Sequence, residues 1–371
     1  MAVKTRTKST DREVLNRLAK LGEDVAAQIK RSRDPAVEIP VRSLANVRFD
    51  ERRSIIELGD QTQARNFFNV GMAKKFMQTL LVAAGCKEFV ESGKTTSLRD
   101  LYYRLKHTMT DSDENTFDEQ EESDPIIEDL EVALDTLREE LHLFASNKGA
   151  MVGNITLIDS GDTIDCRRQG SGGWSVPSIV EGNVIEFGKI DAAFVLFVEK
   201  DAVWRRLNED KFWKKHACIL IHGGGQPARG VRRLLWRFAV EAKLPVYVFV
   251  DNDPWGLYIY SVIKQGSINL AYESSRMAVP SARFIGLSTF DREAFDIPRD
   301  VCIRLNDEDR RRAKQILEYP WFQKKAWQKE LTQMLRDDLK MELEALSTKR
   351  NISFMSDEYL PQKLKKKEWL D

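Results

Sequence analysis

The sequence predicts an α/β chain preceded by a largely helical part. From about Asn183 onward, continuous apolar β-type runs alternate with amphipathic helices, the pattern of a parallel sheet covered on both faces. From about Asn69 to Ala150 the apolar residues recur instead at helical spacing. The chain has 371 residues, of which 42% are apolar, with eight Trp and eighteen Phe, which is enough to fill more than one core.

Taken in order, residues 10–33 place Leu15, Leu18, Leu21, Val25 and Ile29 three or four apart, after a Ser9/Thr10 cap and before Pro35. This is an amphipathic helix able to dock on its own body or on a partner. From Glu38 to Asp60 the pattern changes to short strands and turns, and "EIPVRSLANVRF" reads as an extended strap, so residues 1–68 form a leading segment. Residues 69–150 hold three helices: "NVGMAKKFMQTLLVAAGCKEFVES", "SLRDLYYRLKHT", and "DPIIEDLEVALDTLREELHLFAS" beginning at Pro125. Three helices of this size suggest a helix-turn-helix or winged-helix module. The acidic loop "DSDENTFDEQEESD" between the last two reads as a solvated connector that would repel phosphate.

Residues 151–371 form the α/β part. It opens with the turn-rich, glycine-dense "DSGDTIDCRRQGSGGWSVPS". "DAAFVLFVEK" is then a strand followed by the helix "DAVWRRLNEDKFWKKH". "ACILIHGGG" with "VRRLLWRFAVEAK" repeats the pair, "LPVYVFVDNDPWG" with "LYIYSVIKQGS" does so again, and "ARFIGLST" closes the sheet.

Composition narrows the function. Fifty-eight basic and fifty-eight acidic residues cancel, so any nucleic-acid site must be a local patch. The four cysteines, Cys86, Cys166, Cys218 and Cys302, contain no CxxC, and the four histidines no HxxxH, which argues against a structural zinc and for reduced, buried thiols. The first residues lack the apolar core of a signal peptide, and no run approaches the ~20 apolar residues of a membrane span, so the expected location is the cytoplasm.

Two groups of residues carry chemistry. Neighbouring helix positions point about 100° apart, so Tyr102 and Tyr103 cannot share one environment, and one of them stands among the cations Arg99, Arg104, Lys106 and His107. Farther on, two strands end in acid: "FVLFVEK" at Glu199 and "VYVFVDND" at Asp251 and Asp253, whose i, i+2 relation puts both on one side. Functional groups gather at the carboxyl ends of strands in open parallel sheets. Three carboxylates converging there repel one another unless a hard cation neutralises them, which favours Mg²⁺. Acids also finish strands simply because turns begin there, and tyrosines on helices are usually packing residues. At the same edge, "HGGGQPARGVRR" sets glycines at a strand end and Arg229, Arg232 and Arg233 in the first turns of a helix, an arrangement suited to phosphate.

Together these motifs resemble the A-subunit family of type IIB DNA topoisomerases, topoisomerase VI, and its relative, the meiotic protein that makes double-strand breaks. "SLRDLYY" resembles the family's nucleophile motif, which implies Tyr103 as attacker and Arg99 as its basic neighbour. "FVEK" and "DNDPWG" resemble its Toprim metal site, implying Mg²⁺ at Glu199, Asp251 and Asp253. "MVGNITLIDSGDTIDC", "GQPARGVRR", "KMELEAL" and "YLPQKL" extend the likeness from about Glu38 to Lys367. Val231 stands where the family often has threonine, and Arg232 matches its Toprim-helix arginine. The resemblance implies a CAP-like winged-helix domain carrying the tyrosine, followed by a Toprim domain with a C-terminal helical extension. It further implies DNA contacts by Arg104, Arg229, Arg232 and Arg233, and a homodimer in which one protomer's tyrosine faces the other's metal site. The two composite sites would leave 5′-phosphotyrosyl links for duplex passage and relaxation of supercoils. ATP would be bound by a GHKL-type B subunit in an A2B2 assembly working at the nucleoid, not by this chain.

A tyrosine phenol has a pKa near ~10 and needs a cation, base or metal to attack phosphorus at neutral pH. Arg99 supplies a permanent charge. Two other motifs mislead. "ESGKTTS" has Glu88 where a Walker A needs its first glycine, and "HGGG" at His222 to Gly225 has no GxSxG to serve. "KLKKKEW" suits DNA backbone, although a solvated lysine run is the commoner meaning. The competing readings are a transesterase that breaks DNA without resealing, a Toprim primase or nuclease that needs no tyrosine, and a non-catalytic DNA-binding scaffold.

Overall fold

The computed structural model describes residues 9–348 and 350–371, which divide into two compact units: residues up to 48 with 58–146, and 49–57 with 147–371.

The first unit begins with α1 (Asp11–Lys30). Its start is set by Thr10, whose hydroxyl accepts from the Glu13 N–H while the Glu13 carboxylate reaches back to the Thr10 N–H. Strand β1 (Ala36–Pro40) follows and pairs antiparallel with β4 (Thr62–Asn66); between them in sequence, the paired strands β2 (Val47–Asp50) and β3 (Ile55–Leu58) carry residues 49–57 of the second unit. After these come α2 (Val70–Ser92), β5 (Thr96–Ser97), α3 (Leu98–Leu105), α4 (Ser123–Ala133) and β6 (Leu143–Phe144), with β5 and β6 paired in parallel. Val14 and Leu18 of α1 share a core with Val82, Cys86 and Phe89 of α2, Leu101 and Tyr102 of α3, and Ile126, Ile127 and Leu130 of α4. Residues 10–33 therefore dock on their own unit, in the core of the segment that follows them.

One expectation fails here. The helix from Pro125 does not run on to Ser146. It begins at Ser123 and stops at Ala133, where Asp135 takes a left-handed conformation (φ 46°). The Glu140 carboxylate then accepts from the Thr136 hydroxyl at 3.0 Å and the Leu137 N–H at 2.9 Å. Polar side chains that satisfy nearby groups locally offer the chain an alternative to another helical turn.

In the second unit, β7 (Ala150–Gly153) leads to β8 (Ile155–Asp159) and β9 (Asp162–Asp165). Next come β10 (Trp174–Ser175) and β11 (Ile185–Ile190). Strands β11, β8 and β9 form an antiparallel sheet over the stretch that its glycines mark as turns. The alternation within "ITLID" and "DTID" is real but too short to outweigh the turn residues beside it.

Beyond these, β12 (Phe194–Val198), α5 (Asp201–Glu209), the one-turn α6 (Phe212–Lys215), β13 (Cys218–His222), α7 (Arg229–Val240), β14 (Val246–Phe249), α8 (Pro254–Lys264) and β15 (Arg283–Gly286) follow the alternation read from the sequence. The sheet order is β10-β7-β13-β12-β14-β15. Its four strands β13, β12, β14 and β15 are parallel, and β7 and β10 extend it antiparallel. Its central strands are apolar throughout because both faces are covered: Val195 to Val198 and Ile219 to Ile221 are fully buried. The helices Asp307–Glu318, Lys325–Asp337 and Leu360–Lys366 complete the unit. No helix among the described residues is long and apolar enough to cross a membrane.

Candidate active site: a tyrosine and an acidic strand edge

The tyrosine pair separates as the helix geometry requires. Ser97 caps α3 by accepting from the Asp100 N–H at 3.0 Å, which fixes the register. Tyr102 is buried. Its hydroxyl donates to the Asp118 carbonyl and accepts from the Lys106 ammonium, each at 2.9 Å. Tyr103, with 58% of its surface exposed, presents its ring and hydroxyl to solvent. One turn back, the Arg99 guanidinium donates to the Tyr103 hydroxyl at 3.4 Å and lies 5.7 Å from the ring centroid. That hydrogen bond, followed by the charge of Arg99, holds the Tyr103 phenol below its ordinary value, while the same contact raises Arg99. Arg104, on the same helix, pairs with Glu88 at 2.8 Å over the Phe89 ring.

The acids belong to the second unit. Glu199 follows the last residue of β12, and Asp251 and Asp253 follow β14, the neighbouring strand. The Asp251 N–H donates to the Glu199 carboxylate at 3.0 Å, which ties the two strand ends together. Alternation sends Asn252 the other way, where its amide donates to Thr289 and Glu330. Asp253 caps α8, accepting from the Gly256 N–H at 2.6 Å, with Pro254 at the first helical position. Gly256 lies against Asp251, and any side chain there would collide with the Asp251 carbonyl oxygen.

Burial is the first cause of strain at this edge. It pushes Glu199 up to about 8, helped by the neighbouring Asp251 charge. Burial likewise pushes Asp251 up to about 6, against the opposing pull of the Leu343 N–H and Lys200, and raises Asp253.

Two groups escaped the sequence reading. Lys200, adjacent to Glu199, places its ammonium 3.0 Å from Asp251, 3.2 Å from Glu342 and 2.8 Å from Glu344; these partners outweigh burial and hold it above its ordinary value. The segment bearing Glu342 and Glu344 pairs with the DxD turn through a bridge between Asn252 and Met341, and the Leu343 N–H donates to Asp251 at 2.8 Å. Only "KMELEAL" in the sequence hinted at it.

The arrangement suits a hard cation in chemistry more than in present geometry. Glu199 and Asp251 share an edge, but Asp253 is turned to α8 and Lys200 serves as counter-ion. Among the described residues, no three acidic, His or Cys groups already surround one point. The donors nonetheless fit Mg²⁺: they are carboxylate oxygens, mutually repelling and shielded from water, and a divalent ion would relieve the strain that protons relieve in its absence.

Arg229 and Arg233 of α7 are engaged. Arg229 bonds Glu273 at 3.0 Å and the Tyr272 hydroxyl at 2.9 Å, and Arg233 grips Glu181 with two nitrogens. Arg232 is buried, and desolvation lowers it to about 10; its Nε and Nη2 have no hydrogen-bond partner among the described residues.

Three family models match successive parts of the chain. Residues 194–364 match the family model of the Toprim domain shared by the topoisomerase 6 A-subunit and Spo11. Residues 74–143 match that of type IIB DNA topoisomerase, and residues 147–191 that of an all-beta domain in DNA topoisomerase VI alpha subunit. The chain is 42% identical over 363 residues to the type 2 DNA topoisomerase 6 A-subunit of Pyrococcus abyssi, spanning 95% of this chain and 94% of that protein. It is 41% identical over 365 residues to the corresponding protein of Hyperthermus butylicus, spanning 94% of each. It is 34% identical over 358 residues to the DNA topoisomerase 6 A3-subunit of Oryza sativa, spanning 96% of this chain and 78% of that protein.

Proposed function

The chain belongs to the A-subunit family of type IIB DNA topoisomerases, and from that premise we propose that it cleaves and rejoins duplex DNA through Tyr103. The observation that carries the assignment is the Arg99 to Tyr103 contact, an exposed phenol whose proton is loosened by a permanent cation one helical turn away. Its neighbour Tyr102 is committed to the core and has no such freedom.

In the proposed step the Tyr103 oxygen attacks a backbone phosphorus. A phosphotyrosyl bond forms to the 5′ side while the bond to the 3′ oxygen breaks; the phenol gives up its proton, and the 3′ oxygen gains one or is stabilised as an anion. Arg99 stabilises the phenolate before attack and the tyrosyl leaving group on return. Because the bond energy is kept in an ester, the reverse attack by the 3′ oxygen reseals the strand. Glu199, Asp251 and Asp253 would hold Mg²⁺. When bound, the ion supplies positive charge to the phosphate and the leaving oxygen. Lys200 and the Leu343 N–H keep Asp251 oriented meanwhile.

Helices α2, α3 and α4 around one core support reading residues 69–150 as a CAP-like winged-helix domain. Arg104 and Arg229 would meet the DNA backbone, with Arg232 and Arg233 holding the edge on which Arg229 stands. The tyrosine and the acids belong to different units, so we assign the complete centre to a homodimer, with ATP bound by a GHKL-type B subunit in an A2B2 assembly acting on the DNA of the nucleoid. Purified chain with its B partner, ATP and Mg²⁺ should relax a supercoiled plasmid, and Tyr103→Phe should abolish this. Relaxation by the Phe variant would reject the assignment.

A further inference from the structure

At the other end of the parallel sheet from the acids lies a cleft of about 410 Å³, at the amino-terminal ends of β14 and β15. Lys243, Arg283 and Lys367 line it together with Tyr247 and Trp369, and among the described residues no acidic side chain does. The three cations come from different parts of the chain. Lys243 follows α7 in a left-handed conformation (φ 56°), Arg283 opens β15, and Lys367 ends the helix Leu360–Lys366, also left-handed (φ 55°). All three are exposed. The adjacent acids are already engaged, Glu241 by Arg237 at 2.8 Å and Glu368 by Lys366 at 3.7 Å.

The cleft is also braced. The turn at Lys367 sends the chain back along the sheet, where the Leu370 N–H donates to the Phe284 carbonyl at 3.3 Å and Asp371 accepts from buried Lys264 at 3.2 Å. Trp369 is thereby pressed against Tyr247, with ring centroids 5.7 Å apart, and the Arg283 guanidinium stacks over its indole at 4.3 Å. A stacked guanidinium keeps its planar fork of donors fixed and free for a bidentate anion. It also covers one face of the indole, which favours a phosphodiester over an inserted base.

We propose that this cleft is a second binding site for the phosphate backbone of duplex DNA, separate from the acidic edge. The residues Pro245 and Asp251 that mark the two ends of β14 are roughly 20 Å apart at about 3.3 Å per residue, so one phosphate cannot serve both places. The proposal rests on the DNA-cleaving function above and adds a contact that the cleavage centre does not require.

The test is the salt dependence of binding by the full chain to a linear duplex of arbitrary sequence. Each neutralised phosphate contributes about 0.9 to the slope of log affinity against log salt. The variant Lys243→Gln/Arg283→Gln/Lys367→Gln should therefore lose about 2.7 from the slope. Between about 50 and 200 mM salt the wild-type affinity should fall about 40-fold more than the variant's. The charge-keeping variant Lys243→Arg/Arg283→Lys/Lys367→Arg should retain the wild-type slope, which guards against misfolding as the cause. A triple-Gln variant with an unchanged slope overturns the proposal; if that variant also loses binding to a glutamate-rich peptide, the cleft serves an acidic polypeptide. Wild-type chain that binds no DNA at any salt would instead reject the underlying function.

Discussion

Without a divalent ion, the acidic edge should make the protein lose stability as pH rises through neutrality. Glu199 has its pKa raised from 4.5 to about 8, and Asp251 from 3.8 to about 6. A carboxyl raised on folding binds more protons folded than unfolded. Its stabilising proton is fully present below the ordinary value and is lost as pH climbs through the raised one. At about 1.36 kcal/mol per pKa unit, Glu199 alone accounts for on the order of 5 kcal/mol between its ordinary and raised values, a large share of the roughly 5–15 kcal/mol typical of a folded protein. Urea denaturation in EDTA at pH 5 to 9, followed by tryptophan fluorescence, should show the midpoint falling across this window. Glu199→Gln, which cannot ionise, should flatten the fall. Mg²⁺ competes with the protons, so it should stabilise the wild type at pH 8 far more than at pH 5. A wild-type midpoint that holds steady or rises from pH 5 to 8, or a Gln variant with the same slope, would refute the reasoning. If Mg²⁺ has no effect at pH 8, the metal assignment falls.

Other substitutions give separate checks. Arg99→Met removes the donor that loosens the Tyr103 proton, so cleavage should drop at neutral pH and recover partly as pH rises, its rate profile displaced upward. An unmoved profile would leave Arg99 without this part. Tyr102→Phe deletes a buried hydroxyl bonded to Asp118 and Lys106, so it should cost about 1 kcal/mol in denaturation yet preserve cleavage. Gly256→Ala drives a methyl into the Asp251 carbonyl and should cost about 2 kcal/mol or more while weakening Mg²⁺ stabilisation, with the effect on Mg²⁺ larger than that of an alanine placed at exposed Gly22 in α1.

Much of this was legible in the sequence, for physical reasons particular to each element. The strands ending at Glu199 and Asp251 are unbroken apolar runs because both faces of the sheet are covered, and such runs announce themselves. The opposite fates of Tyr102 and Tyr103 follow from the 100° turn of a helix, although which was core required its neighbours. The DxD spacing announced that Asn252 would turn away from Asp251, as alternation demands, but not that Asp253 would be drawn off to cap α8. What was hidden depends on distant partners. Lys200 acquires its role from Glu342 and Glu344, far along the chain, and no local pattern encodes that pairing. Phosphate-seeking arginines look alike in sequence whether free or spent, and here Arg233 is spent on Glu181. The early end of α4 turned on a left-handed Asp135, which propensity at a single residue does not settle.

Strand cleavage by this chain comes down to the bond between Tyr103 and DNA. Chain, B partner, Mg²⁺, a non-hydrolysed ATP analogue and supercoiled plasmid should be mixed and quenched with detergent, and the protein-linked DNA digested for peptide mapping by mass spectrometry. The predicted result is a nucleotide joined through its 5′ phosphate to the peptide at Tyr103, absent from Tyr103→Phe and from reactions in EDTA. A nucleotide on Tyr102 or any other residue, a 3′ linkage, or adduct persisting in the Phe variant would contradict it.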